Sequence, residues 1–322
     1  MNGSESSLAL ASGMSASDAA AIDRTLEVGG ACAGARLLPP DQPPERSAAS
    51  LHQVVIEPPS GWIGLNLGEV WRYRDLLSLL VWRDFSCRYR QSVLGVGWAI
   101  ARPVLSVLVF TAIFGMVAHL PSDGLPYPLF SFAALMPWLY FSNALAGTTN
   151  SVVGGSALLT KVYFPRLVLP LSGAASGLAD LAIQFALLIG LMVWYGLPPT
   201  WAMLAVPLFV VDCMVVSLAL GLWLTALNVK YRDVGQLVPF LSQIWMYLTP
   251  IVYSSSLVPQ RWRAVYSLNP MVGVVDGFRW AMFGRTAPDW TMLGVSSAVT
   301  VVLLAAGLYY FRRVEETFAD IV

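Results

Sequence analysis

Charge is scarce in this chain. Of its 322 residues only 12 % are Asp, Glu, Lys or Arg, about half the ~25 % usual in a soluble domain, while 57 % are hydrophobic. That composition belongs to a membrane protein. Lysine is nearly missing: Lys161 and Lys230 are the only two. Neither follows a glycine, so there is no G-x-x-x-x-G-K-[ST] loop to cradle nucleotide phosphates on backbone N–H groups, and the chain is not itself a P-loop ATPase. Cys32, Cys87 and Cys213 stand far apart. An odd number without C-x-x-C spacing indicates neither a disulfide framework nor a zinc site. His52 and His119 are isolated, so no metal set is expected. Net charge is also missing, with 19 cationic residues against 19 acidic ones, which argues against a nucleic-acid partner.

The charges that are present are sorted along the chain. Residues 1–60 hold Arg24, Arg36 and Arg46 against seven acidic residues, so this stretch is acidic and the remainder basic. It is rich in Ser, Ala, Gly and Pro without a sustained apolar period, which predicts a disordered cytoplasmic tail. Its start has neither a cationic n-region nor a pure apolar core, so it does not read as a signal peptide.

Six apolar stretches follow, at roughly 93–117, 129–156, 167–195, 202–228, 234–254 and 291–311, each near the ~20 residues a helix needs to cross the hydrocarbon core. The last is the cleanest, with no charge between 292 and 311 and then Arg312-Arg313. The expected fold is therefore an all-α membrane protein with six transmembrane helices. Arginine and lysine set its orientation: eleven lie on one set of flanks (Arg72, Arg74, Arg83, Arg88, Arg90, Lys161, Arg166, Lys230, Arg232, Arg312 and Arg313), and four, Arg261, Arg263, Arg279 and Arg285, on the other. Both termini are then cytoplasmic, in a multi-pass protein of the cytoplasmic (inner) membrane.

Three segments are not simple spans. Residues 69–90 are too polar to cross, yet Tyr73, Leu76, Leu77, Leu80 and Val81 form one helical face, with Arg72, Asp75, Arg83, Ser86 and Arg90 opposite. This reads as an amphipathic interface helix within 61–92, lying on the cytoplasmic leaflet. Residues 156–166 allow two readings: a short helix ended by Pro165 that presents Lys161, Tyr163, Phe164 and Arg166 to a partner's groove, or a plain basic turn. In the long external loop, 255–290, the apolar run 271–283 has 13 residues, too few to span. Asn269-Pro270 breaks the loop into two short re-entrant or interfacial helices, in which Asp276 and Arg279 can pair.

Within the six spans we place only three of the 38 charged residues, Arg102, Asp180 and Asp212. Asp180 belongs to a column with Ser172, Ser176 and Gln184, which reads most simply as helix-packing glue. Span two carries Phe130, Phe132, Trp138, Tyr140 and Phe141, then Ser142, Asn143, Thr148, Thr149 and Asn150. On span five, Gln236, Phe240, Gln243 and Tyr247 share one helical face. Amides alternating with aromatics suit sugars, which offer hydroxyls for hydrogen bonds and a flat C–H face for stacking. Trp138, Trp194, Trp201 and Trp290, near span ends, also fit an interfacial belt.

These residues carry a resemblance. Arg83-Asp84, Arg88-Tyr89, Gln91-Ser92, Leu94-Gly95, Trp98 and Pro103 are similar to the R-D-x-x-x-R-Y-x-x-S-x-L-G-x-x-W-x-x-x-x-P signature of the permease subunits of type-2 ABC transporters that export polysaccharides such as O-antigen, capsule and teichoic acid. Three further pieces follow in order: Lys161 with Phe164-Pro165-Arg166 and Leu169-Pro170; Asn228-Val229-Lys230-Tyr231-Arg232-Asp233; and Thr249-Pro250 with Tyr253 and Leu268-Asn269-Pro270. The likeness covers the chain from about Trp71 to its end, with 93–322 as the six-span type-2 transmembrane domain. It implies a homodimer bound to two copies of an ABC ATPase subunit, with ATP and Mg on that partner and no cofactor on this chain.

By position the resemblance makes 71–90 the interface helix, with Arg83, Asp84, Arg88, Tyr89 and Arg90. It makes 158–164 the coupling helix, and places gate helices between 259 and 283, with Asn269, Pro270, Asp276 and Arg279. Spans one, two and five border the translocation path, which puts Asn143, Gln236, Phe240, Gln243 and Tyr247 on it. The 60-residue tail has no counterpart in that pattern, and Arg102 stands where the family is usually uncharged. Two turns inside span one, Arg102 could snorkel or face a cavity and meet an anionic head group. The expected function is export of a lipid-linked polysaccharide, in contact with membrane lipids. The alternatives are a type-2 permease for a small lipid or drug, and a membrane-embedded transferase resting on His119 beside Asp123.

Overall fold

The computed structural model describes residues 67–89, 95, 97–159, 161–285 and 287–315. The expected tail over 1–60 and Arg90 lie outside them. The described residues form helices and no strands. In chain order these are α1 (Leu67–Arg72), α2 (Arg74–Tyr89), α3 (Gly97–Phe110, continued by a π turn Thr111–Val117), α4 (Tyr127–Gly154), α5 (Ser156–Leu159), α6 (Val168–Ala175), α7 (Leu178–Trp194), α8 (Val206–Lys230, entered through a 3₁₀ turn Trp201–Ala205), α9 (Val234–Tyr247), α10 (Gln260–Tyr266), α11 (Pro270–Phe283) and α12 (Trp290–Glu315).

Five of the continuous helical segments are long and apolar enough to cross a membrane: Gly97–Val117, Tyr127–Gly154, Val168–Trp194, Trp201–Lys230 and Trp290–Glu315. They are not equivalent. The most apolar window of α4 is 78 % buried, whereas that of α3 is 11 % and that of α12 is 22 %. α4 is therefore the central post, and α3 is a peripheral one.

Small residues put the neighbours of α4 within backbone reach. A Cβ added to Gly173 of α6 would stand 2.7 Å from the Gly147 carbonyl carbon, and one on Gly221 of α8 would stand 2.4 Å from the Thr148 methyl. With no hydrophobic drive between helices in lipid, such close packing and the hydrogen bonds across it hold a bundle together. The bonds are present. Thr225 Oγ1 donates to Thr148 O (2.8 Å), Thr148 Oγ1 to Pro170 O (3.3 Å) and Tyr140 OH to Ala174 O (2.9 Å). The serines of the expected glue column behave differently. Ser172 and Ser176 bond back to their own helix, to Leu169 O and Gly173 O, and Asp180 alone of the column takes long-range partners.

The segment expected as the fifth of six spans, 234–254, is helical only over α9. At 1.5 Å per residue its 14 residues extend ~21 Å, short of the ~30 Å hydrocarbon core. Thr249-Pro250 accounts for the stop, because a proline lacks the N–H and biases its predecessor away from helix. The chain beyond runs through a turn and α10 to Asn269, whose Nδ2 donates to Thr249 Oγ1 (3.2 Å). Ser296 of α12 donates to Ser267 O (2.9 Å) nearby. From there α11 starts with Asn269 accepting from Met271 N (3.1 Å) and Pro270 in its first turn. It ends at Gly284, φ 63°, beside Thr200. α11 is the apolar run too short to span, and it is enclosed by protein, with Met271, Val272, Val274 and Val275 all at 0 % exposure.

A second core closes the other end of the bundle, from Leu80, Val152, Phe164, Val168, Leu222 and Phe311. Phe164 is 4 % exposed, which corrects the expectation that it projects to the cytosol: it follows three exposed residues but turns inward ahead of Pro165. Phe164→Ala is expected to cost about 3–5 kcal/mol by leaving a core cavity, whereas Tyr163→Ala at the adjacent surface stays within about 0.5 kcal/mol of the parent. Thermal or denaturant unfolding of the two variants in detergent checks the contrast.

Candidate functional site

The segment expected as the interface helix is built as two pieces with one buried side. α1 and α2 meet at Tyr73, and Val70, Tyr73, Leu76, Leu77 and Leu80 pack on the second core. The other side carries Trp71, Leu79 and Trp82 at 64–71 % exposure, aromatic and aliphatic groups suited to a headgroup boundary.

The last turn of α2 holds the polar anchor. Arg88 Nη1 and Tyr89 OH both donate to the Asp180 carboxylate, the tyrosine at 2.6 Å. Asp180 is buried near the start of α7, where an unpaired carboxylate would be costly; two donors, one of them charged, make it tenable. Burial pushes the Tyr89 hydroxyl up to about 12, and its bond to Asp180 adds in the same direction. Arg83, by contrast, closes on its neighbour Asp84 at 2.9 Å, half exposed. Of the R-D-x-x-x-R-Y signature, the second half reaches the bundle and the first half does not. Sequence reasoning missed this role because Asp180 is 91 residues from Tyr89. The available signal was a lone carboxyl in an apolar span.

In the segment after α4, the helix is only the four residues of α5. Lys161, Val162 and Tyr163 are exposed, Tyr163 at 71 %. Arg166 is turned to the bundle, donating to the main-chain oxygen of Glu315, where Glu315 also pairs with Arg312 at 3.1 Å. The expected four-residue knob of Lys161, Tyr163, Phe164 and Arg166 is thus reduced to residues 161–163. Phe164 and Arg166 serve the interior.

The polar lane lies on α4, α9 and α3. Of the 28 residues of α4, only Asn143, Asn150 and Gly154 are exposed, at i, i+7 and i+11 along one face. The aromatics expected to line that span do not: Phe130, Phe132, Trp138, Tyr140 and Phe141 are all at most 3 % exposed. Trp138 is core, not belt, with its ring 6.4 Å from Trp245. On α9 the expected face is open, with Gln236, Phe240 (61 %), Gln243 and Tyr247 (54 %) all exposed and Val238 and Ser242 turned inward. Asn228 joins the two helices. Its Nδ2 donates to Thr149 O and Asn150 Oδ1 (both 3.1 Å), and its Oδ1 accepts from Gly235 N at the start of α9 (2.8 Å). On α3, Arg102 is exposed with its guanidinium 5.7 Å from the Trp98 ring centroid, a cation–π hold one turn away.

At the other end Arg279 is buried in α11. Its Nη2 donates to Ile251 O (2.8 Å), Asp276 lies 3.8 Å from its Nη1, and the guanidinium sits 3.7 Å from the Phe130 centroid. The expected i, i+3 approach of Asp276 and Arg279 is present, but the arginine's closer partners are the carbonyls of the turn after α9. Asp123, at φ 51°, accepts from Ser254 Oγ at 2.6 Å.

Residues 75–283 match the family model of the ABC-2 type transporter. The O-antigen export system permease protein RfbA of Myxococcus xanthus is 34 % identical over 255 residues, covering 78 % of this chain and 97 % of that protein. A protein of the same name from Klebsiella pneumoniae is 25 % identical, over 80 % of this chain and 97 % of its own. The polysialic acid transport protein KpsM of Escherichia coli is 24 % identical over 73 % of this chain and 91 % of its own.

Asp180→Ala strips the anchor of its acceptor, so faster amide hydrogen exchange is expected over 83–89, with the bundle spans unchanged. Arg83→Ala, whose pair is local and half exposed, leaves exchange there within error. Hydrogen-exchange mass spectrometry on the full chain in detergent reads both.

Proposed function

The chain belongs to the ABC-2 type transporter family, and from that premise we propose that it is the permease subunit of an ATP-driven exporter of polysaccharide, O-antigen or capsule in kind. The observation that carries this reading is the match to O-antigen export permeases over nearly their whole length. The open lane of Asn143, Gln236, Phe240, Gln243 and Tyr247 supports it, because a repeating polymer moves best over many weak, similar contacts.

In this reading the protein sits in the inner membrane as a homodimer with two ATPase subunits, both termini in the cytoplasm. α9 and the turn to residue 254 make the sixth crossing, and α10 with α11 forms a re-entrant pair at the outer face. The sparse burial of α3 and the open side of α9 leave room for a second copy and for substrate. ATP and Mg are held by the partner, since this chain has no Walker loop. Residues 161–163 and the exposed charged residues of α2, Arg74, Asp75 and Arg83, receive the ATPase. Arg102, poised on Trp98 near the cytoplasmic end of α3, meets the anionic head of a lipid-linked glycan. The polymer is then drawn across the amides and aromatics as ATP turns over, with no bond in the glycan made or broken by this chain.

Deleting the gene is expected to remove the surface polymer from a polysaccharide gel while its lipid-linked form accumulates in the cell; unchanged surface polymer would overturn the proposal. On complementation, Asn143→Leu with Gln243→Leu is expected to lower export about tenfold. Tyr163→Ala is expected to separate ATP hydrolysis from export, leaving hydrolysis by the assembled complex in place while the polymer stays inside.

A further inference from the structure

A cavity of about 170 Å³ opens at the end of the bundle where α11 and α12 meet the turn before α4. Its wall carries three carboxylates, Asp123, Asp276 and Asp289, and three guanidiniums, Arg263, Arg279 and Arg285, with Ser254 to Ser256 and Trp280 beside them. The formal charges cancel, so neither an anion nor a cation is favoured by the sum. The pairs are also incompletely closed. Arg263–Asp289 and Arg279–Asp276 both stand at 3.8 Å, outside hydrogen-bond range, whereas Arg83–Asp84 and Arg312–Glu315 close to 2.9 and 3.1 Å. Arg279 is 8 % exposed, yet its Nε has no partner. A buried guanidinium N–H left open costs free energy, and a group that both donates and accepts would bridge each gap.

We propose that this cavity is a carbohydrate subsite that holds one neutral hexopyranose unit. A sugar hydroxyl donates to a carboxylate and accepts from a guanidinium at once, which is what a carboxylate–guanidinium gap of 3.8 Å requires. The serine hydroxyls extend the same chemistry, and Trp280 offers an apolar ring for a C–H face. An anionic saccharide or phosphate would meet as many carboxylates as arginines. The inference rests on the polysaccharide reading and adds to it a place, at the Tyr127 end of α4 away from the second core, where a single residue of the chain is held at the exit.

The test is saturation-transfer difference NMR on the full-length protein in lipid nanodiscs, titrated with the methyl pyranosides of glucose, mannose and galactose and with methyl glucuronide. At least one neutral glycoside is expected to give a saturable signal. Asp276→Asn and Arg263→Gln should each weaken it at least tenfold, and Ser255→Trp, which fills the cavity, should abolish it. Two charge variants are used so that one that fails to elute as a monodisperse species can be set aside. The proposal is overturned if no neutral glycoside saturates, if only the glucuronide does, or if the signal survives in every monodisperse variant. Complementation of the deletion strain separates the two readings. Restored surface polymer without glycoside binding defeats the subsite alone, and binding without restored polymer defeats the polysaccharide reading.

Discussion

The approach of three backbones around α4 is the constraint on which the bundle depends. Gly147 and Gly173 face each other without side chains, and Gly221 leaves room for Thr148. At that separation Thr148, Thr225 and Tyr140 reach carbonyls of neighbouring helices, so polar groups that lipid would penalise become cross-links. A methyl at Gly173 or Gly221 would push α6 or α8 outward and break those bonds together. Because α4 is enclosed on nearly every side, the few positions it leaves open are informative, and two of the three are asparagines.

Much of this was legible beforehand. The apolar stretches that became α3, α4, α6 with α7, α8 and α12 are long enough that composition alone locates them. The Tyr73–Leu80 face was set by a 3.6-residue period, and the Asn269-Pro270 break by the chemistry of a cap followed by a proline. What was not legible depended on contacts distant in sequence. Aromatics on α4 looked the same whether they lined a path or filled a core, and only the neighbours Trp245 and Ala174 decide for Trp138 and Tyr140. Phe164 lay in a run of exposed groups, so its inward turn could not be read from the run. The end of α9 was misjudged because apolarity continues past Tyr247 to Tyr253, while Pro250 ends the helix for a backbone reason that hydropathy does not register.

Charge is used at the two ends of the molecule in opposite ways. At the α2 end, Asp180 is saturated by Arg88 and Tyr89, so the anchor is closed chemistry that fixes a position. At the α11 end, guanidiniums and carboxylates stand just too far apart to satisfy one another, and the carbonyls of Ile251 and Gly124 take up part of the arginines' capacity. Between them polar groups cross-link helices, as Thr225 and Tyr140 do, bond back to their own helix, as Ser172 and Ser176 do, or stand exposed on one lane. That division leaves residues 161–163 and the open faces of α3 and α9 as the surfaces with unspent contact area.

The tie from Arg166 to the Glu315 carbonyl joins the loop after α5 to the final turn of α12. That helix has 26 residues, ~39 Å of unbroken rod, and its opposite tip is capped by Asp289, which accepts from Thr291 N (3.0 Å) and stands in the wall of the far cavity. A load applied to the loop after α5 therefore has a stiff strut under it that ends among the charged groups of the far cavity. No relay of small side-chain rearrangements through the core is needed for a displacement at one end of this rod to reach the other.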